Sequence, residues 1–194
     1  MNDFVEEKMT EMNKKKKVLA GALYYGRVII TTLILIALLK FFLVPTIING
    51  SSMENTLHNK DYVFVSAQSY KLLGGSPKRG DIIVFPVIEK GGTPIPGTGK
   101  KQENYIKRII GIPGDTISIK KGKVYVNGKC KKENYIKDGI TDGEIIGLKV
   151  PKNQVFVLGD NRLDSEDSRV LGTVPQKLIK GKAILRIYPK PKIF

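Results

Sequence analysis

From about Leu23 to Val44 the chain carries an apolar run that only Arg27 and Lys40, near its edges, interrupt. As a helix, about 22 residues at ~1.5 Å each cover roughly 33 Å, enough to cross a hydrocarbon core. The uncharged centre, Val28 to Leu39, is too short alone. Spanning therefore requires Arg27 and Lys40 to extend toward opposite interfaces, with Tyr24 and Tyr25 at headgroup level. A core helix and a cleaved secretion signal are the alternatives. The run is long for a secretion signal and no Ala-x-Ala-like site follows it, which favours an uncleaved anchor. The lysines Lys14 to Lys17 set the direction: residues 1–22 read as a basic cytoplasmic tail, 23–44 as a plasma-membrane span and 45–194 as an extracytoplasmic part. The same lysines suit an anionic lipid surface.

Beyond Pro45 the pattern changes to short runs rich in β-branched and aromatic residues: Tyr62–Val65, Asp81–Phe85, Thr116–Ile119, Lys123–Val126, Val155–Leu158 and Ala183–Ile187. Twenty glycines, ten prolines and no tryptophan accord with many strands and turns. Lys120-Lys121-Gly122 can close a hairpin, and Asn127-Gly128 is a strong turn dipeptide after the next strand. Gly91 to Lys101 reads as a surface loop. With no long amphipathic helix after residue 45, the outer part is expected to be mainly β, with residues 116–154 as a smaller inserted subdomain.

The net charge of +15 raises nucleic acid as a partner, but its distribution argues against one. Seven basic and four acidic residues fall in the first 40, leaving 26 and 14 for the rest, so the excess is spread and not gathered into one arm. A single cysteine, Cys130, excludes an internal disulfide, and with one histidine it excludes a Cys/His zinc cluster. No metal and no cofactor are expected, and Cys130 reads as a bystander.

The chemistry concentrates in Asn49-Gly50-Ser51-Ser52-Met53-Glu54-Asn55-Thr56-Leu57, just beyond the anchor. A serine hydroxyl needs a base, and the one histidine, His58, lies on the same local segment. A lysine amine can serve if burial keeps it unprotonated. In a strand, Tyr105, Lys107 and Ile109 would share a face, packing the lysine stem beside aromatic and aliphatic groups. Read alone, a lysine in such a strand is more often an exposed residue on an edge strand. A third segment, Gly159 to Arg169, packs small polar and ion-pairing residues into a short span after an apolar strand, and by itself suits a capped surface loop.

Taken in order, Gly50-Ser51-Ser52-Met53 with Thr56-Leu57, Arg79-Gly80-Asp81-Ile82-Ile83-Val84-Phe85, Lys107 to Asp115, and Gly159-Asp160-Asn161-Arg162 with Ser165 and Asp167-Ser168-Arg169 resemble the boxes of bacterial type I signal peptidases. The likeness is to the single-anchor, Gram-positive kind, and it covers the anchor and essentially all of residues 45–194. It implies an antiparallel β catalytic domain and a serine endopeptidase that removes signal peptides from secreted preproteins after small-x-small sites. It further implies Ser52 as nucleophile, Lys107 as general base and Ser165 as the hydroxyl that orients the amine. The Ser52 N–H would serve the oxyanion hole, and Gly50 stands where some members carry a side-chain donor. Asp167 and Arg169 would form a supporting ion pair with Arg108 beside them, and Asp160 is placed with this structural support. Ile48, Met53, Leu57, Tyr105 and Ile106 would line the first substrate pocket, and Ile48, Val63 and Ile106 the third. Where the family usually has proline, this chain has Asn55, which implies a looser nucleophile loop.

Other readings remain at this level: a specialised pilin-type processing enzyme, and a catalytically silent, membrane-tethered β domain that binds peptides or assembles envelope components. An autoproteolytic repressor would need a DNA-binding module where the anchor stands. Penicillin-recognising Ser-x-x-Lys enzymes are excluded, because Asn55 is the third residue after Ser52.

Overall fold

A computed structural model describes residues 2–70, 75–89, 93–94 and 101–194. Two compact units emerge, Met1–Phe42 and Leu43–Phe194. The first is one helix, α1 (Asn2–Phe42), and Lys14 to Lys17 lie within it. Its stretch Lys16–Phe42, 27 residues with a mean hydropathy of 2.0, is long and apolar enough to cross a membrane. Leu23, Ile29, Leu33 and Leu39 are each more than half exposed, as expected of a helix whose apolar surface wants a non-aqueous surrounding.

The helix stops at Phe42, two residues short of the expected end at Val44. Pro45 supplies the reason. It has no N–H to donate and pushes Val44 toward extended backbone, and Leu43–Ile47 accordingly forms the first strand of the second unit.

That unit is built from strands β1 (Leu43–Ile47), β2 (Tyr62–Ser66), β3 (Ile82–Glu89), β4 (Thr93–Pro94), β5 (Lys101–Gly111), β6 (Thr116–Lys120), β7 (Lys123–Val126), β8 (Lys129–Cys130), β9 (Ile145–Lys149) and β10 (Gln154–Leu158). The short helix α2 (Ser168–Leu171) follows, then β11 (Val174–Pro175), β12 (Gly181–Tyr188) and β13 (Lys192–Ile193). The fold is mainly antiparallel β. The larger sheet runs β1-β2-β12-β3-β5-β10-β11, with β13 on β12 and β4 on β5. A smaller sheet, β8-β7-β6-β9, is inserted between β5 and β10. All six β-type runs named from the sequence fall in strands, apart from Asp81, which precedes β3. Most of the expected loop at 91–101 lies outside the described residues; Thr93, Pro94 and Lys101 pair as strand.

Alternation explains the larger sheet. In β3, Ile82 and Val84 enter one cluster with Val63, Val65 and Ile106, while Ile83 and Phe85 enter another with Ile109, Val155 and Val157. Both faces are covered, so the strand reads as an unbroken apolar run. A third cluster joins Ile110, Phe156 and Leu158 of the larger sheet to Ile117, Ile119, Val124 and Val126 of the smaller one. Ile110 faces away from Ile109 by the same alternation, and beside it a bulge sets Phe156 opposite Gly111 but Val157 opposite Ile109. Both expected turns form, with Lys121 and Gly122 at φ 50° and 72° and Asn127 and Gly128 at 53° and 77°, the positive angles a tight hairpin demands.

Candidate active site

Between β1 and β2 the chain makes a compact turn, with the Glu54 N–H bonded to Ser51 O and the Thr56 and Leu57 N–H groups to Met53 O. Met53 and Leu57 point down from this turn and are essentially unexposed. Burial of that apolar pair anchors the turn and leaves Ser52 at its rim. Gly50 enters the turn at φ 104°, where a side chain would be strained, and its N–H donates to Asn59 Oδ1 at 3.2 Å.

The other side of the turn rests on the segment after β10. Asn161 donates its N–H to Ser52 O (3.1 Å) and its side-chain amide to Ser51 O (3.2 Å), while the Ser51 hydroxyl donates to Asp164. At Gly159 an added Cβ would collide with the Ser165 side chain and with Ser52 O. Glycine is therefore what lets the two segments approach. No hydrogen bond runs from the Ser52 N–H to a described residue.

Lys107 comes to this rim from β5, whose register sets it opposite Ile83. Its Nζ lies 2.6 Å from Ser52 Oγ, although the two residues are 55 apart in sequence, and 5.0 Å from the Tyr105 ring centre. Only 3% of Lys107 is exposed. Burial lowers the amine from its ordinary 10.5 to about 8, against an opposite pull from Asp167, Glu166 and Asp164. The exposed reading of Lys107 is thereby set aside: the side chain is buried.

Asp167 organises the segment behind. Wholly buried, it accepts from the Gly159 N–H (3.0 Å) and from the Arg169 N–H at the start of α2, and it pairs with the Arg169 guanidinium at 2.9 Å. Ser168 Oγ accepts from the Val157 N–H at 2.9 Å. Arg162, 1% exposed, pairs with Glu133 and donates to Gly159 O. The Ser165 hydroxyl is buried without a hydrogen-bond partner among the described residues, so the bond to Lys107 that the resemblance implies is not formed here.

Three further expectations change. Arg108 does not join Asp167 and Arg169; it pairs with Asp160 at 2.6 Å and covers the Tyr135 ring at 4.1 Å. Successive side chains of a strand point to opposite faces, so Arg108 leaves the face that Lys107 takes. Asn55 is engaged from outside its own turn: it sits at φ 82° with its amide donating to Tyr135 O at 3.2 Å. Of the pocket residues, Ile48, Tyr105 and Ile106 line a groove of about 770 Å³ that includes Ser52 and Lys107, whereas Met53, Leu57 and Val63 do not border it, although they share an apolar cluster with Ile48 and Ile106. Groove residues that sequence reasoning missed include Thr46, Asn49, Val65 and Val84. The two valines were legible as strand residues, but nothing in the spacing marks which apolar strand positions border a groove.

The groove runs between two unpaired strand edges. β1 pairs only with β2, and the stretch Glu103–Lys107 of β5 pairs with β3 on one side and with no described strand on the other. Open backbone edges of this kind can accept an extended peptide.

Among known proteins, the profile of the family described as signal peptidase, peptidase S26, matches residues 22–188. A probable signal peptidase I-2 from Synechocystis is 39% identical over 173 residues, covering 87% of this chain and 74% of the relative. Signal peptidase I P of Bacillus subtilis subsp. natto is 37% identical over 196 residues, covering 95% and 98%. A crystal structure of a signal peptidase I from Enterococcus faecalis, 31% identical, aligns with a TM-score of 0.42 over 56% of this chain and 97% of that one.

Proposed function

Because this chain belongs to the signal peptidase family S26, we propose that it is a membrane-anchored serine endopeptidase that cuts signal peptides from exported preproteins after small-x-small sites, with Ser52 as nucleophile and Lys107 as base. The observation that carries the assignment is the 2.6 Å approach of a buried lysine amine to a serine hydroxyl at the rim of a peptide-sized groove. At pH 7 an amine of pKa about 8 is about one-tenth neutral, roughly 300-fold more than at 10.5.

The cycle follows from that pair. The neutral Lys107 amine takes the Ser52 hydroxyl proton as Oγ bonds to the scissile carbonyl carbon. Negative charge develops on the carbonyl oxygen, and the unengaged Ser52 N–H is the donor assigned to it. When the C–N bond breaks, the proton passes from Lys107 to the leaving amine, freeing the mature protein and leaving the signal peptide as an ester on Ser52. Water then attacks the ester, Lys107 accepts its proton, and return of that proton to Ser52 Oγ restores the enzyme. Ser165, buried and without a partner, is assigned to hold the Lys107 amine when Ser52 is acylated.

The substrate would lie as an extended strand between the edges of β1 and β5. Ile48, Tyr105 and Ile106, with Val65 and Val84, form walls bulky enough to reject large side chains by overlap. Helix α1 would hold the enzyme in the plasma membrane, N-terminus in the cytoplasm, in the bilayer that also holds the apolar segment of the substrate. The test is cleavage of a preprotein bearing an Ala-x-Ala site by the wild type, Ser52→Ala and Lys107→Ala. Wild-type cleavage with both variants inactive is the expected result; equal cutting by all three, or by none, removes the reading.

A further inference from the structure

The nucleophile turn is gripped on its outer side by residues 133–137, which connect β8 to β9 in the smaller sheet. Asn55 donates its amide to Tyr135 O at 3.2 Å, with Ile136 O at 3.5 Å, the outer limit of a hydrogen bond. Lys137 Nζ pairs with Glu54 at 2.6 Å, and the Lys137 N–H donates to Asp160 O at 3.1 Å. The same five residues are fastened at Glu133 by Arg162 and at Tyr135 by the overlying Arg108. Arg108 directly follows Lys107 in β5, so one segment touches both the turn that carries Ser52 and the neighbour of the base.

From this arrangement, and resting on the reading of Ser52 and Lys107 above, we propose that residues 133–137 are a strap that holds Ser52 at reacting distance from Lys107, with Asn55 as the positioning residue that engages it. Asn55 suits the task for two reasons. It tolerates φ 82°, closed to proline with its φ fixed near −65°, and its short amide reaches a carbonyl outside its own turn. Since it touches neither the base nor the groove, its removal acts on the frequency of the reactive geometry and leaves substrate binding and the protonation of Lys107 alone.

The experiment uses the full chain in detergent micelles with the Ala-x-Ala preprotein. Asn55→Gly and Asn55→Asp both accommodate the positive φ and both lose the amide donor. Each is expected to lower kcat by about three- to tenfold, consistent with loss of one solvent-exposed hydrogen bond. KM should stay within about twofold and Tm within about 2 °C of the wild type, with the midpoint of the pH profile unchanged in the uncharged Asn55→Gly variant. Glu54→Lys and Lys137→Glu should each lower kcat, and their combination should recover it. Wild-type kcat in the Asn55 variants, a rise in KM in place of a fall in kcat, or losses that track Tm would overturn the proposal. Amide exchange of residues 51–57 gives a readout independent of cleavage: faster exchange in Asn55→Gly supports the strap and unchanged exchange sinks it, even if the wild type proves not to cut preproteins and the functional reading itself fails.

Discussion

The Arg108 guanidinium forks onto both carboxylate oxygens of Asp160, at 2.8 and 2.6 Å, one residue along the strand from Lys107. Asp160 has no exposed surface and Arg108 is 12% exposed, so the pair is screened little by solvent. It ties β5 to the segment that meets the Ser52 turn through Asn161.

The first prediction concerns this pair. Asp160→Ala leaves a largely buried guanidinium with Gly80 O and Thr56 Oγ1 as its remaining partners. Stability should fall by about 3 kcal/mol. Denaturant unfolding of the full chain in detergent measures this, and a loss below about 1 kcal/mol would show that water reaches the pair.

The second concerns pH. Lys107 acts as a base only when neutral, and burial has lowered it to about 8. Activity should therefore climb with pH through a midpoint near 8. Glu166 pulls the amine back upward, and it accepts the Tyr105 hydroxyl at 2.8 Å. Glu166→Gln keeps an acceptor for that hydroxyl and removes the charge, so the midpoint should move to lower pH. A midpoint that stays put or rises in a kcat/KM profile contradicts this account.

The third concerns close packing. Gly159→Ala places a methyl group against the Ser165 side chain and Ser52 O. The segments must separate, which displaces Ser52 from Lys107, and a shift of about 1 Å at a reacting pair can lower the rate about a hundredfold. Steady-state kinetics should show the loss in kcat, and Gly159→Ser should be at least as impaired. Near-normal rates in the alanine variant would mean that the turn can move without effect.

Much of the fold was legible because its signals are local. The run through α1, the alternation in β3 and the paired positive-φ turns at Lys121-Gly122 and Asn127-Gly128 each follow from a few neighbouring residues. The end of α1 was misplaced by two residues because hydropathy was weighed above Pro45. Met53, Leu57 and Val63 were placed at the groove by the resemblance alone; in the structure all three lie in the apolar cluster under the turn, and which members of that cluster also border the groove is set by tertiary packing. Composition marks Asn55 as turn-prone, whereas the acceptor of its side-chain amide lies 80 positions away and no local signal points to it.

The sequence by itself determined which chemistry was open to this protein: an apolar span, a β domain, a serine without a suitably placed histidine, and residue types that exclude a cysteine–histidine metal centre. Only the tertiary structure decided that Lys107 is buried and reaches Ser52, that Arg108 turns to Asp160 and that the Ser165 hydroxyl stays unpartnered. The reason is physical. Periodicity and turn chemistry act over a few residues, whereas the meeting of two side chains 55 positions apart depends on strand register and the close approach allowed at Gly159.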